Sequence, residues 1–184
     1  MREAIRALMI DANRLCDRQL GGTYEADCRR SIENLKTALA AAPALDERAA
    51  RAWCEMIARV LTVRHIAPEG RPYLDRYFAS GWNPSAGRRR GPAIFLHHFL
   101  ASDPSHEVHS HPWGWSASLI LAGGYREHRC HPGGGVTVRE FHPGEVNVIT
   151  ADDRHRIDLL GADCWTVFLA GDFEREWEFT PLCT

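Results

Sequence analysis

The sequence predicts a mainly β chain: a small β-barrel or jelly roll preceded by an α-helical N-terminal bundle. Three observations carry this. Apolar residues up to position 61 recur at the spacing of one helix face, short apolar runs separated by turn residues begin at position 93, and Gly and Pro punctuate the stretch between. The 184 residues amount to one domain of ordinary size, or one with an appendage, long enough to bury a core. The expected division is a helical segment over 1–62, a loop-rich connection over 63–92 and a β-barrel over 93–184.

Ile5, Leu8, Met9, Ala12 and Leu15 form the first helical stripe, which the Gly21–Gly22 pair stops. Ile32, Leu35, Ala38 and Leu39 form a second, ending before Pro43. Asp46 is a suitable N-cap for a third helix, with Ala49, Trp53, Met56, Ile57, Val60 and Leu61 on its apolar face. Short connections suggest an antiparallel bundle, serving packing, oligomerisation or cover for a pocket mouth. Between 63 and 92 only one short element is expected, at 73–78. From 93 onward, strands are expected near 93–100, at the His109–His111 pair, and near 117–121, 125–128, 136–141, 146–150, 155–160, 164–170 and 176–180. Many short strands at even spacing argue a barrel or jelly roll.

A net charge of −2 and a pI near 6.5 give no pull toward nucleic acid or membrane. The Arg88–Arg90 run has no interleaved aromatics and reads as a solvated loop. With no apolar run of spanning length and no secretion signal, a cytoplasmic protein is expected. Pairing of barrel edges into a homodimer is a further expectation. The six cysteines include no CxxC pair and read as reduced thiols, with Cys130 a redox-active group or ligand in the alternative.

Histidine usage is the anomaly. Nine of the ten histidines fall between 97 and 155, so the second part of the chain is where chemistry is expected. His109 and His111 stand two apart, and side chains two apart on a strand leave the same face. Two imidazoles on one face are half of a metal site, although His-x-His also arises by chance in a histidine-rich chain. His155, in PGEVNVITADDRHRI at 143–157, supplies a third. Three imidazoles inside a barrel leave open positions on an ion for water, dioxygen or a substrate atom. Trp113 and Trp115 continue the parity of the pair and are the expected substrate-pocket wall.

These two stretches resemble the motifs of the cupin superfamily. Its first motif joins an HxH pair, a glutamate a few residues on and a later glycine, matched here by His109, His111 and Gly123 or Gly124. Its second motif, Pro-Gly, a strand, a tight turn and a histidine, is matched by PGEVNVITADDRHRI with His155. Trp115 and Ser116 stand where the glutamate ligand belongs. The resemblance therefore implies a metal held by three histidines, as in thiol dioxygenase-like cupins. The strings LHHFLASD, HSHPW, GGYRE and CWTVFLAG also resemble a poorly characterised group of single-domain cupins. The likeness spans roughly residues 72–178, does not reach the helical N-terminus, and is uninformative about substrate.

The candidates for proton work are His98, Tyr125 and Glu127. His97 and His98 have opposite parity, so only one can face inward. Glu127 could serve as a general base, a fourth ligand or a salt-bridge partner of Arg126, Arg129 or Arg139. Asp153 shares the parity of His155 and could orient it, or cap a turn beside an arginine. The expected activity is that of a metal-dependent enzyme on a small organic molecule, foremost an Fe(II) dioxygenase-type oxidoreductase. Zn, Mn or Ni would suit the same ligands. The alternatives are a non-catalytic metal- or ligand-binding cupin and a non-oxidative isomerase or epimerase.

Overall fold

The computed structural model describes residues 46–80, 93–104, 106–131 and 133–183. The two helical stripes expected before Asp46 lie outside these residues, and so does the Arg88–Arg90 run. The third helix is present as α1, Glu47–Ala58. The Asp46 carboxylate caps it, accepting a hydrogen bond from the Arg48 N–H at 3.0 Å. Its buried face is Ala50 and Cys54, flanked by Trp53, Ile57 and Ala58. Met56 and Val60, expected on that face, are exposed. Met56 lies two residues, more than half a turn, from Cys54, and Val60 follows the helix end.

The strands are β1 (Thr62–Ile66), β2 (Leu74–Ser80), β3 (Ala93–Phe99), β4 (Glu107–His109), β5 (Trp115–Ala122) and β6 (Tyr125–Cys130). They continue with β7 (Val136–Phe141), β8 (Val146–Thr150), β9 (Arg154–Leu159), β10 (Cys164–Ala170) and β11 (Phe179–Pro181). They form two antiparallel sheets, ordered β1-β2-β3-β10-β5-β8 and β11-β4-β9-β6-β7. The sheets do not close on one another. The architecture is therefore a jelly-roll-like sandwich, not the barrel expected. The stretch read as a loop-rich connection holds two strands, β1 and β2, joined by a single 3-10 turn over Pro68–Gly70. Pro68, Gly70 and Pro72 lie in the connection between these strands, Gly81 to Pro92 lie outside the described residues, and TVRHI and LDRYFAS have the β-branched and aromatic content of strands.

The six-stranded sheet is covered on both faces. Helix α1 lies on the outer face, where Ala50 and Cys54 pack with Leu96, Leu119, Leu121, Trp165 and Leu169. The inner face packs Phe95, Phe168 and Ile120 toward the second sheet. Strands buried on both sides read as continuous apolar runs, which is why AIFL and CWTVFLA do not alternate. The fully buried Leu119, Ile120 and Leu121 stabilise the fold by roughly 1.5–3 kcal/mol each. Gly123, at φ +75°, carries the chain from β5 of one sheet to β6 of the other. Any side chain there would run into the Asp163 carbonyl, so the turn demands glycine.

Cys130, at the end of β6, is disulfide-bonded to Cys183, with Cα atoms 5.9 Å apart. This corrects the expectation of reduced thiols throughout. Strand β11 pairs with β4 and carries the C-terminal residues back along the second sheet to reach Cys130. Such a bond persists more readily in an oxidising compartment than in reducing cytoplasm. Cys54 and Cys164 are free and buried, and burial pushes both thiols up to about 12. Under oxidising conditions Cys130→Ser should lower unfolding free energy by about 4 kcal/mol, the loop-closure value for this separation. Chemical denaturation of both proteins, with non-reducing peptide mapping, measures it.

Candidate metal centre

His109 is the last residue of β4, and its Cα stands directly opposite that of His155 on β9. His111 follows beyond the strand end. Between them Ser110 is fixed to Glu178 by its N–H at 3.0 Å, and its hydroxyl accepts from the Glu178 N–H at 3.2 Å. The three side chains converge, each offering a ring nitrogen within 4.8 Å of the other two. His111 Nε2 and His155 Nε2 are only 2.8 Å apart. Two imidazole nitrogens on adjacent positions of one ion, each ~2.1 Å from it, would be ~3 Å apart. Two lone pairs brought this close need a positive centre, a proton or a metal ion. Burial, reinforced by the neighbouring His155, pulls His109 down to about 4, and burial likewise holds His111 well below the usual imidazole range. Both rings are thus neutral near pH 7, the form that ligates a metal. Donor type, spacing and protonation all fit a divalent cation.

The outward nitrogen of His155 settles its orientation. His155 Nδ1 is 2.6 Å from Glu127 Oε1, so Nδ1 carries the proton and Nε2 presents a lone pair to its neighbours. That same carboxylate oxygen accepts from Arg129 at 3.0 Å and from Asn147 Nδ2 at 2.8 Å. Burial alone would raise the Glu127 carboxyl, but the His155 hydrogen bond and the Arg129 guanidinium outweigh it and hold it down to about 2. Glu127 therefore stands behind His155, neither a fourth member of the cluster nor a base facing the cavity. Asn147 Nδ2 also donates to the Tyr125 hydroxyl at 3.1 Å, and burial raises that phenol, which stays protonated. Asp153 caps the turn at Thr150 and approaches Arg129 at 3.4 Å; it does not touch His155.

Sequence reasoning missed the counterpart on His109. Asp103 is buried, with one oxygen accepting from the Ile157 N–H at 2.7 Å and 3.8 Å from His109 Nδ1, while Tyr73 donates to the other. In the sequence it stands as a turn residue before Pro104, and no pattern marks it otherwise.

Of the adjacent histidines, His97 faces inward and His98 outward, against the expectation for His98. His98 stacks on Trp165 at 3.8 Å between ring centroids and lies 2.8 Å from Asp163, on the α1 side of the sheet. His97 is buried in the cavity wall, and its Nε2 accepts from Arg76 Nε at 3.1 Å. The tryptophans also differ from expectation. Trp113 stacks behind His111, centroids 5.7 Å apart, and bridges to Phe173 instead of lining the cavity. Trp115 opens β5 and packs by Gly171 and the core under α1. The parity that placed both on the pocket wall fails because the strand breaks at 110–114.

A cavity of about 400 Å³ lies between the two sheets, of a size that suits a small organic molecule. All three clustered histidines line it, with Tyr125 beside them. Apolar walls come from Ile66, Leu74, Phe99, Ile157, Phe168 and Phe179.

The architecture and the three-histidine cluster are consistent with a cupin. No family model matches the sequence, and no curated protein does. Among solved structures, hydroxypropylphosphonic acid epoxidase from S. wedmorenis is similar over 61% of this chain and 56% of its own, at 8% identity and a TM-score of 0.45. Oxalate decarboxylase from Bacillus subtilis at pH 4.6 is similar over 58% and 27%, at 16% identity and a TM-score of 0.45. The Lactobacillus farciminis oxalate decarboxylase formate complex is similar over 65% and 32%, at 13% identity and a TM-score of 0.48. The matched regions thus cover less than two thirds of each of these structures. At such scores none of them bears on substrate or chemistry here. Among the described residues no helix is long and apolar enough to cross a membrane.

Two outcomes follow for metal binding, both measured by competition with a chromophoric chelator. His109→Ala and His155→Ala should each abolish high-affinity uptake, whereas the exposed His142→Ala should leave it intact. Glu127→Gln, which removes the charge behind His155, should weaken affinity by about 10–100-fold with the fold retained.

Proposed function

We propose that this protein is a metal-dependent cupin enzyme that oxidises a small organic molecule, with Fe(II) held by His109, His111 and His155. The observation that carries the reading is an open cavity beside the three imidazoles. A cluster sealed by Trp113 and Trp115 would favour a storage or sensing role, but both tryptophans stand away from the cavity and the histidines line it. Three neutral nitrogen donors leave the ion's charge undiminished, and when bound the iron supplies a centre at which dioxygen and a substrate donor atom can meet.

The chain's own groups have definable tasks. Glu127 fixes the His155 tautomer, and Asp103 lies on the Nδ1 side of His109. Tyr125, protonated and positioned by Asn147, offers a phenol to the cavity. Phe168 and Ile157 exclude water from the histidine face. With Glu127 committed to His155 and Arg129, proton work falls to Tyr125 or to the substrate itself.

Protein purified without added metal should contain iron at near-stoichiometric level by elemental analysis. It should consume dioxygen with at least one member of a panel of small thiols, and lose that activity on chelation. Zinc occupancy with no oxygen uptake would replace this reading with hydrolytic or lyase chemistry.

A further inference from the structure

We propose that the cavity selects an organic anion, with Arg76 and Arg64 gripping its carboxylate or phosphonate while the rest of the molecule reaches toward the histidines. This rests on reading the cavity as the substrate pocket of the metal centre. Arg76 is only 8% exposed and lines the cavity. A buried cation is costly unless paired, yet among the described residues no carboxylate pairs with it. Among the described residues its side-chain hydrogen bond runs from Nε to His97, and its guanidinium lies over Phe95 and Trp113, 5.2 and 5.9 Å from their ring centroids. These contacts aim the guanidinium without neutralising it. Burial and the Arg64 charge pull Arg76 down only to about 10, so it remains a cation near pH 7.

The second observation is the register. Arg64 on β1 stands directly opposite Arg76 on β2, and both line the cavity. Like charges opposite one another repel, a cost that an anion between them removes. Across the next strand pair Arg76 faces His97, so Arg64, Arg76 and His97 form one row from the exposed rim inward. Arg76, His97 and His111 line the same cavity, and Trp113 packs against both Arg76 and His111, which places the anion site next to the histidine face. Guanidinium groups bind carboxylate and phosphonate in a bidentate manner, and a neutral amide cannot replace either. The substrate this describes has an anionic head, a short apolar body and a donor atom at its far end.

Calorimetric titration of the metal-free full chain with butyrate, propylphosphonate and the neutral butyramide tests this. At least one anion should bind one-to-one, at least tenfold tighter than butyramide, and the preferred anion identifies the head group. Arg76→Gln should lose tenfold or more of that affinity, Arg76→Lys should lose less, and the remote, exposed Arg139→Gln should lose none. Should Arg76→Gln not fold, Arg64→Gln decides, with an expected loss of at least threefold. No anion binding, equal binding of butyrate and butyramide, or undiminished affinity in the folded arginine variants overturns the proposal. Iron uptake on the same preparations separates the two ideas: intact uptake without anion selection removes this site alone, and anion selection without uptake removes the oxidoreductase.

Discussion

The hydrogen bond between His155 Nδ1 and Glu127 Oε1 is the constraint on which the centre of this protein depends. It fixes which nitrogen of His155 turns toward His109 and His111, and so whether three lone pairs can meet. The bond joins β9 to β6, adjacent strands of the second sheet, so the sheet's own register sets its length. Glu127 can remain a buried carboxylate because Arg129 and Asn147 share its oxygen. Arg129 is held in turn by the Val148 carbonyl, on a strand of the other sheet. The position of one imidazole is thereby tied to the packing of both sheets.

The histidine trio was legible in the sequence because each member sits in a compact local pattern. His109 and His111 are spaced for one face of a strand, and the Pro-Gly, strand and turn before His155 deliver it to β9. Register then did the rest, setting His109 opposite His155. The choice between His97 and His98 was not legible, for a physical reason. Strand β3 is buried on both faces, by α1 outside and the second sheet inside, so apolar flanks cannot say which way its histidines point. The tryptophans failed differently. Their parity was extended through Gly114, where the chain leaves β4's sheet to begin β5 in the other.

Other features depended on contacts between distant parts of the chain. The Cys130–Cys183 bond requires β11 to return along β4, a pairing of three residues that no spacing announces. Asp103 reaches β9 by hydrogen bonds in both directions to Ile157 and acquires its place near His109 only through them. Strand β2 is the short element expected at 73–78, whereas β1 was obscured because Pro68 and Gly70 belong to the turn that joins the two, and these strands carry the arginines at the cavity.

Charge ties these parts together. Around the three imidazoles and along the cavity stand the carboxylates of Glu127, Asp103 and Asp153 and the guanidiniums of Arg129, Arg76 and Arg64, three formal charges of each sign. The carboxylates are engaged behind the histidines, by the His155 ring, Arg129 and the Ile157 N–H, whereas Arg64 and Arg76 face the cavity. The face met by an incoming anion is therefore positive before any ion is present. A divalent cation among the histidines would add two positive charges in a cavity whose apolar walls screen charge poorly, and so would strengthen a hold that the two arginines already provide.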